Sequence, residues 1–204
     1  MASARRGLKM SEAVTFESVV SDTFDSIMLR YGYDLVASDD SYVRIDSHVS
    51  SIQLHYDRRR SFEVGLEFSE LANGESLRRT PFNLGEVFRE CSVPDADSAS
   101  FFQSADILQV RRFLASVAET LVTYCEPVLR GDHGFFEAVG HRRSDEAAAH
   151  TRQIQLQSVR DEADLAWRDK EYQAFVHLLV KFRDVLSEAD QRKLEYAEKN
   201  LISN

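Results

Sequence analysis

The sequence predicts an α+β fold: an N-terminal helix packed on a four-stranded antiparallel meander, followed by a helical C-terminal half. Three observations predict it. Apolar residues recur at three- and four-residue spacing in residues 11–31, period-two alternation fills residues 33–68 in four short runs, and the helical period returns from residue 80 onward. On this reading the 204 residues divide into a flexible basic start at 1–10, an α+β domain at 11–140 and a helical extension at 151–204 packed on the first domain.

In the first helix Phe16, Val19, Val20, Phe24, Ile27, Met28 and Tyr31 form the apolar stripe, with Glu17, Asp22 and Asp25 between them. Gly32 follows where a left-handed cap ends a helix. The strand runs are 33–38, 41–47, 49–57 and 62–68, and their short separations require antiparallel neighbours. One face carries Val43, Ile45, Ile52, Leu54, Tyr56, Phe62, Val64, Leu66 and Phe68, and needs a cover that the first helix can supply. The opposite face carries Arg44, Asp46, Gln53, His55, Glu63 and Glu67.

Asn73-Gly74 marks a loop, and Thr80-Pro81 is the expected start of a short helix with the stripe Leu84, Val87, Phe88 and Cys91. A polar loop at 92–104 precedes a longer helix carrying Ile107, Val110, Leu114, Val117, Leu121 and Cys125, which Pro127 should end or kink near Glu126. A short helix is expected at 135–139, then a charged, Ala-rich connector at 141–150 that marks the domain boundary. Three helical patterns follow: Leu156, Val159, Ala163 and Trp167; Tyr172, Phe175, Leu179, Phe182 and Leu186; Leu194, Ala197 and Leu201. Ser187 and Asp190 give the last a capping-box start. Residues 166–182, with Ala166, Trp167, Tyr172 and Ala174, resemble one tetratricopeptide-type helical hairpin without the family's helix-breaking Gly and terminal Pro. The resemblance implies a hairpin that stacks on the rest, since one copy does not make a solenoid.

The formal charge of −9 argues against nucleic acid and anionic membrane as partners, and Arg5, Arg6 and Lys9 at the start leave the body more acidic than the total. The longest apolar runs fall far short of a membrane span, and two cysteines do not make a disulfide scaffold, so a cytoplasmic protein is expected. No phosphate-cradling glycine loop, G-x-S-x-G elbow, H-E-x-x-H pair or paired C-x-x-C is present, and no cofactor is expected. No metal site is expected at His133, His141 and His150 either. Nine positions at about 100° each put His141 and His150 on opposite sides of a helix.

Two constellations remain as candidate partner-binding residues. On the polar sheet face, Arg44, Asp46, His55, Glu63 and Glu67 bring cation, imidazole and carboxylates together. In the turn at 57–61, Arg58, Arg59 and Arg60 form a dense basic spot suited to phosphate or carboxylate. The expectation is a non-catalytic bacterial protein-interaction protein, an inhibitor or adaptor of the immunity-protein or antitoxin kind, bound to a basic partner protein. Two alternatives belong to other classes. One is a small-ligand binder or enzyme with His55 as base and Glu63, Glu67 or Asp46 as acid. The other is an assembly subunit docking through its C-terminal helices.

Overall fold

The computed structural model describes residues 14–77 and 80–202, so the basic start at 1–10 lies outside them. It divides into two compact units, Met1–Gly140 and His141–Asn204. The first is α+β: an N-terminal helix, a curled antiparallel sheet, then helices.

Helix α1 (Phe16–Tyr31) begins at Thr15, whose hydroxyl accepts the Ser18 N–H while the Ser18 hydroxyl bonds back to the Thr15 backbone. This capping box satisfies donors that the first helical turn leaves free. Gly32 closes the helix at φ 71°, a left-handed conformation that glycine adopts without steric penalty. Between the caps, Phe16, Val19, Val20, Phe24 and Ile27 are buried against helix α4 (Ile107–Tyr124) and strand β2 (Tyr42–Asp46). Helix α4 contributes Val110, Leu114, Val117, Ala118 and Leu121, and the Arg111–Asp22 pair at 2.9 Å joins the two helices at the surface.

Among the described residues the sheet has six strands where four were expected. Strands β1 (Asp34–Ser38), β2, β3 (Ser50–Tyr56), β4 (Val64–Ala72) and β5 (Glu75–Ser76) follow in spatial order, and β6 (Phe82–Asn83) pairs with β4. The fifth arises at Asn73-Gly74, which is a two-residue hairpin turn with φ of 53° and 81°, so Ala72 faces Glu75. Two consecutive positive φ angles match the twist of the flanking strands and favour Asn-Gly. The expected core face is buried at Val43, Ile45, Ile52, Leu54, Tyr56, Val64, Leu66 and Phe68, each about 1.5–3 kcal/mol of burial for a large apolar side chain.

Phe62 departs from that face. It sits at φ 53°, half-buried, and β4 starts two residues later. The cause is an edge that the expected loop at 92–104 supplies: the Ser104 N–H donates to the Phe62 carbonyl at 2.9 Å and the Val64 N–H to the Phe102 carbonyl at 3.0 Å. That loop also contains the short helix α3 (Ala96–Ala99), and its Phe102 stacks on Phe113 at 4.6 Å.

The expected helix start at Thr80-Pro81 is also corrected. Phe82 is drawn into the sheet opposite Phe68, so Asn83 caps helix α2 (Leu84–Glu90) instead, with Glu86 completing the capping box at 2.8 and 3.0 Å. Near Pro127 the expectation and the structure agree. Helix α4 stops at Tyr124, and the proline occupies the first turn of α5 (Glu126–Leu129), where its missing N–H has no helical partner. Gly131 follows at φ 64°, and a Cβ there would come within 2.5 Å of the Val49 side chain.

The expected connector at 141–150 is helical throughout, part of helix α6 (His133–Arg168), which also absorbs the short helix expected at 135–139. Its Ala, Arg and Glu residues are good helix formers without an interrupting Pro, and local propensity prevails over its lack of an apolar stripe.

In the second unit, Leu156, Ala163 and Ala166 of α6 pack with Phe175 and Leu179 of α7 (Tyr172–Leu179) and Leu194 and Ala197 of α8 (Glu188–Ile202). The helix expected through Leu186 ends at Leu179 and continues as a 3-10 turn, Val180–Val185, which still buries Phe182. Ser187 caps α8 by accepting the Asp190 N–H at 3.1 Å.

Candidate functional site: the outward face of the sheet

Antiparallel register sets the candidate residues in rows. Tyr42, His55 and Gly65 form one row; Arg44, Gln53 and Glu67 the next, with Asn83 of β6 beside Glu67; Asp46, Ser51 and Ser69 the third. The side chains alternate in β2, β3 and β4, so the residues of the core face are buried while Tyr42, Arg44, Gln53, His55 and Glu67 reach solvent.

Charges on this face are paired along and across strands. The Arg44 guanidinium grips Asp46 two positions along β2 with two bonds, 2.9 Å from Nε and 2.7 Å from the terminal nitrogen. That contact raises the arginine's already high pKa. His55 Nε2 lies 3.6 Å from Glu67 Oε2, and its ring rests against Tyr42 at 5.0 Å. The Tyr42 hydroxyl donates to Gln53 Oε1 at 3.2 Å, and partial burial raises its pKa. With His55 47% and Glu67 41% exposed, their pair is a solvated surface contact worth about 0–1 kcal/mol when the imidazole is charged.

Two depressions meet at His55 and Asp57. One, about 440 Å³, is lined by His55, Asp57, Ser61, Glu63, Glu67 and Asn83. The other, about 690 Å³, is lined by Asp40, Ser41, His55, Asp57, Arg58 and Arg59. The structure therefore brings His55, Glu63 and Glu67 to one concavity, and His55, Arg58 and Arg59 to another. Arg44 and Asp46 line neither and are paired with each other. Arg60 is exposed in the turn but lines neither wall.

Comparison with protein-family models, with curated proteins and with solved structures returned no match.

Among the described residues no group of three or more His, Cys, Asp or Glu is placed to hold a metal ion, and no helix is long and apolar enough to cross a membrane. His133 bonds through Nδ1 to Glu70 at 2.8 Å, and that carboxylate is otherwise buried; His141 and His150 are exposed on α6. Cys91 and Cys125 are free thiols. The hydrogen bond with Cys91, and then burial, push the Cys125 thiol pKa up, which makes it a poor nucleophile.

Sequence reasoning missed Asp40, Ser41 and Asn83 as lining residues. Asn83 arrives through the two-residue strand β6, for which no period exists, whereas Asp40 and Ser41 belong to the turn before β2. Tyr42 was missed as well, although it lies two positions before Arg44 on the period-two face, a spacing that could have found it.

Proposed function

We propose that this is a non-catalytic bacterial protein-recognition module, an inhibitor or adaptor of the immunity-protein or antitoxin-like kind, acting in the cytoplasm. Its partner is a basic protein that docks on the outward sheet face. The observation that carries this reading is the exposed carboxylate-bearing concavity at Glu63, Glu67 and His55 in a chain of net charge −9. Complementary charge speeds encounter and disfavours acidic competitors, and the paired Arg44 and Asp46 beside it give fixed polar geometry. The test is capture of partners by the tagged protein at low and moderate salt, with stoichiometry. A one-to-one basic protein that falls away as salt rises supports the reading, and capture that is indifferent to salt contradicts it.

A second reading is favoured by the aromatic surface of the second unit. Trp167, Tyr172 and Tyr196 lie with their ring centres 5.8–5.9 Å apart, and Tyr196 is 52% exposed. Tyrosine and tryptophan are enriched where interfaces concentrate their binding energy. An assembly subunit would dock through this patch on a hairpin of the tetratricopeptide kind, and Tyr196→Ala would abolish assembly.

A further inference from the structure

The turn at residues 57–61 is fixed from inside. Asp57 Oδ1 accepts the backbone N–H groups of Arg59 and Arg60 at 3.0 Å each, and Oδ2 accepts the N–H and hydroxyl of Ser61 at 3.1 Å. Four donated bonds stabilise the carboxylate and engage both of its oxygens, so the turn holds one conformation in which three consecutive arginine side chains project outward.

Those arginines are uncommitted. Arg44 and Arg111 each hold a carboxylate at under 3 Å, whereas among the described residues no carboxylate lies within 4.0 Å of the guanidinium of Arg58, Arg59 or Arg60. Arg58 and Arg59 wall the depression of about 690 Å³, with His55 and Ser41 beside them; the Ser41 hydroxyl donates to Asp39 at 3.0 Å, so the two guanidinium groups are the donors that the site offers. We propose that this depression binds a phosphate group.

The chemistry favours phosphate over a carboxylate. A dianion doubles the Coulomb attraction to the two guanidinium groups, and its several oxygens can accept bidentate bonds from both. The chain's net charge of −9 does not oppose this. Screening over about 8–10 Å at physiological salt hides the distant acidic groups from a compact ligand held among the arginines. Asp40 and Asp57 line the same depression, Asp57 with both oxygens engaged by the turn, and an extended polyanion would in addition meet the distant acids at many points. The site therefore selects one phosphate group, carried by a small molecule or by a phosphorylated side chain.

Calorimetric titration of the full chain at constant ionic strength tests the proposal, with inorganic phosphate as probe and chloride as reference. Saturable binding is expected, weakened about tenfold or more in Arg58→Ala/Arg59→Ala and unchanged in Arg112→Ala, an exposed arginine on α4 without a carboxylate partner. Equal affinity in all three proteins, or heats matching chloride, would overturn it. A second arm compares inorganic phosphate with a glycine-flanked phosphoserine pentapeptide. A peptide bound about tenfold tighter assigns the phosphate to a protein, and equal binding assigns it to a small molecule. The protein-recognition reading stands or falls on Glu63 and Glu67, which these variants leave intact.

Discussion

The two units of this chain reach stability by different routes. In the first, strands separated by loops must find one another, and helices from opposite ends of the segment, α1 and α4, close over the result; Phe24, Phe68, Phe88 and Phe136 are all at most 1% exposed. In the second, helices consecutive in sequence pack side by side, with Ala163, Ala166 and Ala197 interleaved among Leu156, Phe175, Phe182 and Leu194. The first unit therefore has more to lose from one truncated side chain, and its polar outward face is displayed on a backbone held by cross-strand bonds. The second displays aromatic residues on helices whose contacts are local.

The sharpest break of that contrast is Phe68→Ala. Phe68 is 1% exposed and sits between Ile52 and Phe82 in the register, so a cavity there is expected to cost about 3–5 kcal/mol, read from urea unfolding by circular dichroism. Leu194→Ala in the second core is expected to cost less, about 2–4 kcal/mol, with more freedom to collapse; Trp167, the single tryptophan, reports it by fluorescence. A larger loss at Leu194 than at Phe68 would reverse the contrast.

A smaller effect tests the polar seam of the first unit. The Tyr33 hydroxyl donates to the Leu129 carbonyl at 3.2 Å and meets the Ser50 hydroxyl, and burial pushes its pKa from 10.0 to about 12. Because the folded value lies above the unfolded one, the neutral phenol contributes stability below pH 10 that is lost as pH rises toward 12. Tyr33→Phe should cost about 1 kcal/mol at neutral pH and flatten the alkaline fall in stability. The smallest effect lies in the arginine turn. Backbone N–H groups of Ser61, Arg59 and Arg60 lower the Asp57 pKa from 3.8 to about 2, so its stabilisation is present above 3.8 and lost as pH falls toward 2. Asp57→Asn should blunt that acid limb while leaving the alkaline one unchanged.

Where a stretch of sequence is periodic and self-contained, its structure was legible. The α1 stripe and Gly32 cap, the alternation of β2 to β4, and the α4 stripe ending at Pro127 all follow from local spacing. What escaped was decided by distant partners. Phe62 turns away because residues 102–104 bond its neighbourhood, and Phe82 becomes a strand residue because Phe68 lies opposite. At 141–150 the error was of another kind: charge and missing apolar spacing suggested a connector, while the residues themselves favour a helix. For the site, period two placed His55 and Glu67 on one face. It placed Arg44 and Asp46 there as well, but spacing alone does not decide that Arg44 pairs along its own strand with Asp46 while Glu67, in its cross-strand row, lies beside His55.

The most direct test of the recognition claim is partner capture by three matched proteins: the parent chain, Glu63→Lys/Glu67→Lys on the sheet, and Trp167→Ala/Tyr196→Ala on the helices. The account predicts a basic protein held one-to-one by the parent and by the helical variant, and lost on charge reversal of the sheet. Retention by the sheet variant with loss by the helical one would contradict it and move recognition to the aromatic surface.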